Sequence, residues 1–184
     1  MRIMPLRILW AITGSGDLIR DILHMMKGVA ARPGVRVDVV ISKAGRTVLE
    51  WYKLWDELMA AFPSATVEKD ANLPFVVGPL QTGRYSMLLI CPATANTTAK
   101  IALGIADTLA SNAAAMAIKA GVPVYVFPVD QKPGELTTEL PGGRKLTMTV
   151  RDVDVENAWR LRRMTGVIVL GQPSDFLAAI EKMG

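Results

Sequence analysis

The chain has 184 residues, 51% hydrophobic and 21% charged, a composition that excludes disorder and allows one domain, residues 1–184, with a sizeable core. A single cysteine and a single histidine exclude internal disulfides, thiolate zinc fingers, protein-bound iron–sulfur clusters and histidine-rich metal centres, so no metal site is expected, and a reducing cytoplasm is the expected compartment. The net charge of +4 favours anionic ligands such as phosphates; no basic stretch is interleaved with aromatics as nucleic-acid binding would want, and no apolar run reaches the roughly 20 residues of a membrane span.

Residues 6–13 are apolar and β-branched enough for a buried strand, and Gly14-Ser15-Gly16 then turns the chain. Asp17 is placed to cap a helix running to about residue 31, with Ile19, Ile22, Leu23, Met26 and Val29 as its apolar stripe. Residues 35–41 read as a second strand closing at Ser42-Lys43, and residues 45–61 as one helix in which Trp51 and Trp55 share a face. The region 63–85 is less regular, with short strands expected at 66–67 and 75–77. Residues 87–91 read as a strand that stops at Pro92. Helices are expected at about 96–103 and 107–120, the second capped by Asp107, with Gly104 and Gly121 at their ends. A strand at 122–129 is followed by an excursion in which 135–140 and 145–151 flank Pro141-Gly142-Gly143, a β-hairpin signature. A helix at 155–164, a short strand at 167–170 and a last helix capped by Ser174 complete the chain.

Apolar strands alternating with amphipathic helices predict an α/β fold, a parallel sheet with helices on both faces. Such sheets bind ligands beyond the carboxyl ends of their strands. Three small, polar loops fall there: Gly14-Ser15-Gly16, Ser42-Lys43 and residues 93–98. The glycines permit close backbone approach, Ser15 offers a hydroxyl, and a helix N-terminus favours an anion. Position 19 is Ile, so the dinucleotide pattern G-x-G-x-x-G is incomplete, and no Gly-Lys-Ser/Thr follows; a mononucleotide phosphate suits the loop better. Ala93, Thr94, Asn96 and Thr97 combine little bulk with hydroxyls and an amide, which suits a flat heteroaromatic ring, although a plain capped helix explains them too. Ser111 and Asn112 are polar inside a helix, facing either the same ligand or solvent. Cys91 reads as a core residue, His24 as part of a solvated helix face with Arg20, Asp21 and Lys27, and Arg160, Arg162 and Arg163 as another solvated face. The three aromatics of WYKLW, residues 51–55, suggest an interface, a cofactor wall or core packing.

The stretch PATANTTAKIALGIADTL, residues 92–109, closely resembles the signature of the homo-oligomeric flavin-containing cysteine decarboxylase family. WYKLW, KPGELTTELPGGRK, VRDVDVEN and LRRMTGV together resemble its archaeoflavoprotein and FMN-dependent dihydromethanopterin reductase branch, over nearly the whole chain. The resemblance implies a Rossmann-like or flavodoxin-like three-layer fold and FMN as cofactor. It places the phosphate at Gly14, Ser15, Gly16 and Ser42, where the neighbouring Lys43 is also placed to close on it, and the ring at the segment Ala93, Thr94, Ala95, Asn96 and Thr97. It implies a homotrimer with flavin near a subunit interface, in some relatives built into a closed cage. Decarboxylase members carry an active-site His before the Pro-Ala motif, whereas residues 79–86, PLQTGRYS, have none, which disfavours phosphopantothenoylcysteine-type decarboxylation. The leading expectation is therefore an oxidoreductase that reduces dihydromethanopterin to tetrahydromethanopterin through FMN. The alternative is an electron-transfer flavoprotein fed by a ferredoxin-like donor. No residue is identified as the catalytic acid; Asp130 and Lys132, just past a strand end, are weak candidates.

Overall fold

The computed structural model describes residues 5–72 and 74–182, with the side chains of 74–77 outside that description. In chain order the elements are β1 (Leu6–Ile12), α1 (Ile19–Ala30), β2 (Val35–Ile41), α2 (Lys43–Trp51), α3 (Trp55–Ala61), β3 (Thr66–Val67), α4 (Pro74–Gln81), β4 (Met87–Ala93), α5 (Ala95–Ala102), α6 (Leu109–Lys119), β5 (Val124–Pro128), β6 (Gly134–Glu139), β7 (Lys145–Val150), α7 (Asp152–Arg162), β8 (Val167–Val169) and α8 (Asp175–Glu181). Six strands pair in parallel in the order β3-β2-β1-β4-β5-β8. This is the expected flavodoxin-like three-layer α/β arrangement, and β6 and β7 form the expected separate antiparallel hairpin.

The period-two pattern of β1 explains the layers. Ile8, Trp10 and Ile12 point into a core shared with α1, α3 and α8, while Leu9 and Ala11 point into a second core with α4, α6 and α7. Both faces are covered, so the strands are apolar throughout, and β4 is buried at every position. From β1 the chain winds outward through β2 and β3, then crosses back to lay β4 on the other side of β1. The reversal opens a crevice at the carboxyl ends of β1 and β4, where open α/β sheets take ligands.

Several boundaries differ from the sequence reading, each for a local reason. Thr108, not Asp107, caps α6: its side chain accepts from the Ser111 amide while Ser111 reaches back to the Thr108 amide, and Asp107 instead pairs with Lys100 at 2.7 Å. Ser174 makes no side-chain cap; Asp175 takes the Gly171 and Gln172 amides. Asp17 does not cap α1, because Leu18 adopts φ 52° and holds the N-cap position with no side-chain bond. The helix expected at 45–61 breaks into α2 and α3 at Lys53, whose φ is 56°. The break buries Leu54 and separates the tryptophans: Trp51 is exposed, whereas Trp55 packs against the core with Arg46 5.1 Å from its ring centroid. Residues 75–77 lie in helix α4 rather than a strand. β4 runs past Pro92 to Ala93 because a bulge between Ile90 and Ala93 absorbs the residue that cannot donate, while its carbonyl still accepts the Thr13 amide. Cys91 is fully buried, and burial pushes its thiol far above the usual range, consistent with a core role.

Gly45 marks a tight crossing of backbone on backbone. A Cβ there would meet the Ile12 carbonyl oxygen at 2.8 Å, where the first turn of α2 crosses the end of β1. Gly28, exposed on α1, has nothing within 4 Å. Gly45→Ala is expected to cost about 1–3 kcal/mol through overpacking, and Gly28→Ala to gain about 0.5–1 kcal/mol from helix propensity; opposite shifts in thermal unfolding midpoint check the pair.

Candidate functional site

Four strand ends and the hairpin converge at the switch point. Thr13, buried at the end of β1, ties two of the loops: its hydroxyl donates to the Pro92 carbonyl at 2.8 Å and accepts from the Thr94 amide at 2.9 Å. The Ser42 amide donates to the Ile12 carbonyl at 2.9 Å, and the Val129 amide to the Ala93 carbonyl at 3.1 Å. The loop ends are thus held to one another by buried hydrogen bonds.

Within this frame Gly14 lies against Ala44 so closely that a Cβ on Gly14 would meet the Ala44 Cβ at 2.6 Å, and a Cβ on Gly16 would enter the Tyr52 ring. Ser15 accepts the Asp17 amide at 3.2 Å. Ser42 caps α2 by accepting the Gly45 amide at 2.9 Å, and Thr94 caps α5 by accepting the Thr97 amide at 3.2 Å. The capped-helix reading of the 93–98 loop therefore holds, and it aims two helix N-termini at one place.

Two cavities result. The smaller, about 390 Å³, is lined by Thr13, Gly14, Ser42, Lys43, Glu68, Thr94, Asn96, Thr97 and Thr108. The larger, about 480 Å³, runs from Gly14–Asp17 past Val48, Trp51 and Tyr52 to Asp130 and Arg151, with Thr94–Asn96 on one wall. Its lid is the hairpin, which contributes Leu136, Thr138, Leu146 and Met148. The two cavities meet at Gly14, Thr94 and Asn96. The hairpin is anchored by Tyr52, whose hydroxyl donates to the Glu139 carbonyl at 2.9 Å.

The structure brings together Gly14, Ser15, Gly16, Ser42, Lys43, Thr94, Asn96 and Thr97 around the paired cavities. It does not bring Ala93, Ser111 or Asn112 to their lining. Ala93 is buried in the sheet beneath the loop. Ser111 is buried and spent on the cap of α6, and Asn112 donates to the Ala71 carbonyl at 2.9 Å. His24 lines a different groove, between α1 and residues 172–177. Arg162 is less solvated than expected: it donates to Gln131 at 2.7 Å and stacks on Trp159.

Four residues carry charge here, and sequence reasoning singled out only Asp130 among them as a candidate acid. Glu68, just past β3, accepts the first amide of α6 and, at 3.3 Å, the first amide of α2. Its carboxylate thus lies at two helix N-termini, and its distance from both along the chain hid the link. Asp17 is half-buried in the wall between the hairpin and the glycine loop. Burial raises its pKa, the Asp130 carboxylate raises it further, and the Thr138 side chain partly offsets this. Asp130 is raised by burial and by Asp154, against Arg151. Arg151 is engaged by Asp154 through bonds of 2.8 and 2.7 Å.

Thr13→Val keeps the shape but leaves the Thr94 amide without its partner. A loss of about 1–3 kcal/mol is expected, read by chemical denaturation, with faster amide exchange at Thr94. Asp17 has a folded-state pKa above its unfolded value, so its favourable contribution is complete at low pH and lost as pH rises through the folded pKa. Asp17→Asn should therefore gain stability relative to the parent between the ordinary carboxylate range and neutrality, with the gain vanishing in acid; denaturation midpoints across pH check the sign.

The described residues include no helix long and apolar enough to cross a membrane. The chain is 52% identical over 177 residues to an uncharacterized protein of Methanocaldococcus jannaschii, covering 96% of this chain and 95% of that one. It is 37% identical over 143 residues to the dihydromethanopterin reductase (acceptor) of the same organism, covering 74% of this chain and 58% of the reductase, so it spans little more than half that relative's length. Its structure is similar to that of Burkholderia xenovorans DmrB in complex with FMN, described as a cubic protein cage for redox transfer: TM-score 0.80, 29% identity, covering 100% of this chain and 97% of that one. The Flavoprotein family model matches residues 2–184, and the chain belongs to the Flavoprotein family.

Proposed function

We propose that residues 1–184 act as one flavin-binding unit, an FMN-dependent oxidoreductase that reduces dihydromethanopterin to tetrahydromethanopterin. The observation that carries the cofactor assignment is the junction of the two cavities at Gly14, Thr94 and Asn96. A polar, helix-ended chamber adjoins a larger one with aromatic and aliphatic walls, which suits a molecule with an anionic end and a flat ring. The anionic end is assigned to Gly14, Ser15, Gly16, Ser42 and Lys43. Glu68 takes amides of α2 and α6, so the Ser42 and Lys43 side chains and the glycine-loop backbone are the donors left for a phosphate. The ring is assigned to Thr94, Asn96 and Thr97, with Ala93 supporting the loop from below.

FMN supplies hydride or single-electron chemistry when bound, and the protein supplies position and electrostatics. Thr13 holds the ring-side loop in register with the glycine loop, and the hairpin restricts water over the larger cavity. The named relatives support a pterin as acceptor. The residues present give no support to cysteine decarboxylation, because His24 is outside the cleft and residues 79–86 contain no His.

Trp51 and Met148 line the larger cavity yet are 54% and 48% exposed, an apolar rim suited to cover by another copy of the chain. We assign a homo-oligomeric state on that basis and, from the family resemblance alone, a ferredoxin-like or other protein as the electron source. A monomer by light scattering contradicts the first assignment.

Purified protein reconstituted with FMN is expected to show a bound-flavin spectrum; its absence overturns the cofactor assignment. The reduced protein mixed anaerobically with dihydromethanopterin in a stopped-flow instrument is expected to reoxidise faster than in buffer. No acceleration overturns the reductase reading and leaves electron transfer as the reaction.

A further inference from the structure

We propose that Asp17 and Asp130 form a carboxyl–carboxylate pair that supplies the proton to the acceptor in the larger cavity, with Asp17 the member that carries it. This rests on the reductase reading above. The two side chains come from different strand ends and line the same cavity, beside the Thr94–Asn96 wall. Each is fixed by the frame of the site. The Leu18 turn keeps Asp17 out of α1, and its amide is held by Ser15. Asp130 follows Val129, whose amide is bonded to the Ala93 carbonyl at the base of the ring-side loop.

The surroundings neutralise the pair only in part: Arg151 acts on Asp130, and the Thr138 side chain favours the charged form of Asp17. Arg151 from the start of α7 is the one cation among the described residues lining the larger cavity, and Asp154, itself buried, takes it with a bidentate bond. Tyr52 from α2 faces Asp17 but spends its hydroxyl on the hairpin carbonyl. Arg20 and Asp21 from α1 and Glu139 from the hairpin border the neighbouring groove, with Arg20 directed at the Tyr52 carbonyl. Two half-buried carboxyls lining one cavity do not both ionise cheaply, so one keeps a proton. Asp17 is raised by burial and then by Asp130, while Asp130 is raised by burial and then by Asp154, against Arg151.

The chemistry balances. Hydride delivered by reduced FMN to the carbon of a C=N bond oxidises the cofactor by two electrons and leaves a lone pair on nitrogen. The Asp17 O–H bond breaks as the new N–H bond forms, Asp17 becomes a carboxylate, and solvent returns its proton after product leaves. General acid catalysis of this type contributes about 10²–10⁴ in rate.

Two measurements test the pair. Carboxyl carbon NMR of Asp-labelled protein, with and without FMN, is expected to show one aspartate titrating above the ordinary carboxylate range, absent in Asp17→Asn and shifted down in Asp130→Asn. Titration of Asp17 at its ordinary value, or no response to Asp130→Asn, overturns the proposal. In anaerobic stopped flow with dihydromethanopterin, Asp17→Asn is expected to slow reoxidation about a hundredfold, in kcat rather than KM, and to lose the pH-dependent limb, with partial recovery in Asp17→Glu. A parent rate and pH profile in Asp17→Asn overturns the role. A parent protein that never reduces the pterin overturns the reductase reading instead, while the NMR titration still decides whether the pair exists.

Discussion

The site depends on one buried hydroxyl. Thr13 bonds the carbonyl of Pro92 and the amide of Thr94 at once, so the loop after β4 is positioned by the last residue before the glycine turn. An unsatisfied buried amide costs more than a hydrogen bond normally contributes, and that asymmetry makes the clasp specific. Parallel pairing of β1 with β2 and β4 delivers the partners; Thr13, the Ser42–Ile12 bond and the Val129–Ala93 bond then lock four chain segments into one rim.

Around that rim the charges are distributed unevenly. The smaller cavity sits at the N-termini of α2 and α5 and includes Lys43, a setting that favours an anion, with Glu68 already neutralising part of the field. The larger cavity holds two half-buried carboxyls and one arginine that is committed elsewhere. Under the proposed assignment a cofactor with a phosphate at one end and a redox ring at the other would meet both environments, one suited to holding and the other to reacting.

The hairpin is the least buried element among the described residues, yet it closes the larger cavity through Leu136, Thr138, Leu146 and Met148. Both its strands are largely solvent-facing, and one hydrogen bond from Tyr52 anchors it near its turn. A side chain on Gly16 would enter the Tyr52 ring, so the glycine serves packing. An element so weakly packed on its own body gains support when its exposed apolar side chains are covered.

Much of this was legible in the residues themselves. Period-two apolar strands alternating with amphipathic helices specified the sheet and its two helical layers, and small polar residues after β1, β2 and β4 marked the ligand end, because strand alternation and loop composition are local properties. The Pro-Ala-Thr-Ala-Asn-Thr stretch pointed to the family that the whole-chain match confirms. Other features needed the tertiary structure. Asp17 looked like a helix cap until Leu18 took a left-handed turn and left it lining the same cavity as Asp130, 113 positions along the chain. Ser111 looked available until its capping box with Thr108 consumed it. Glu68 had no local signature, because it acts on helix ends that only the sheet order brings near. Sequence by itself determined which residues alternate, turn and pack, since those preferences extend over a few residues. Only the tertiary structure decided which polar groups spend their hydrogen bonds on the protein and which face the cleft, because that choice depends on partners far apart in the chain.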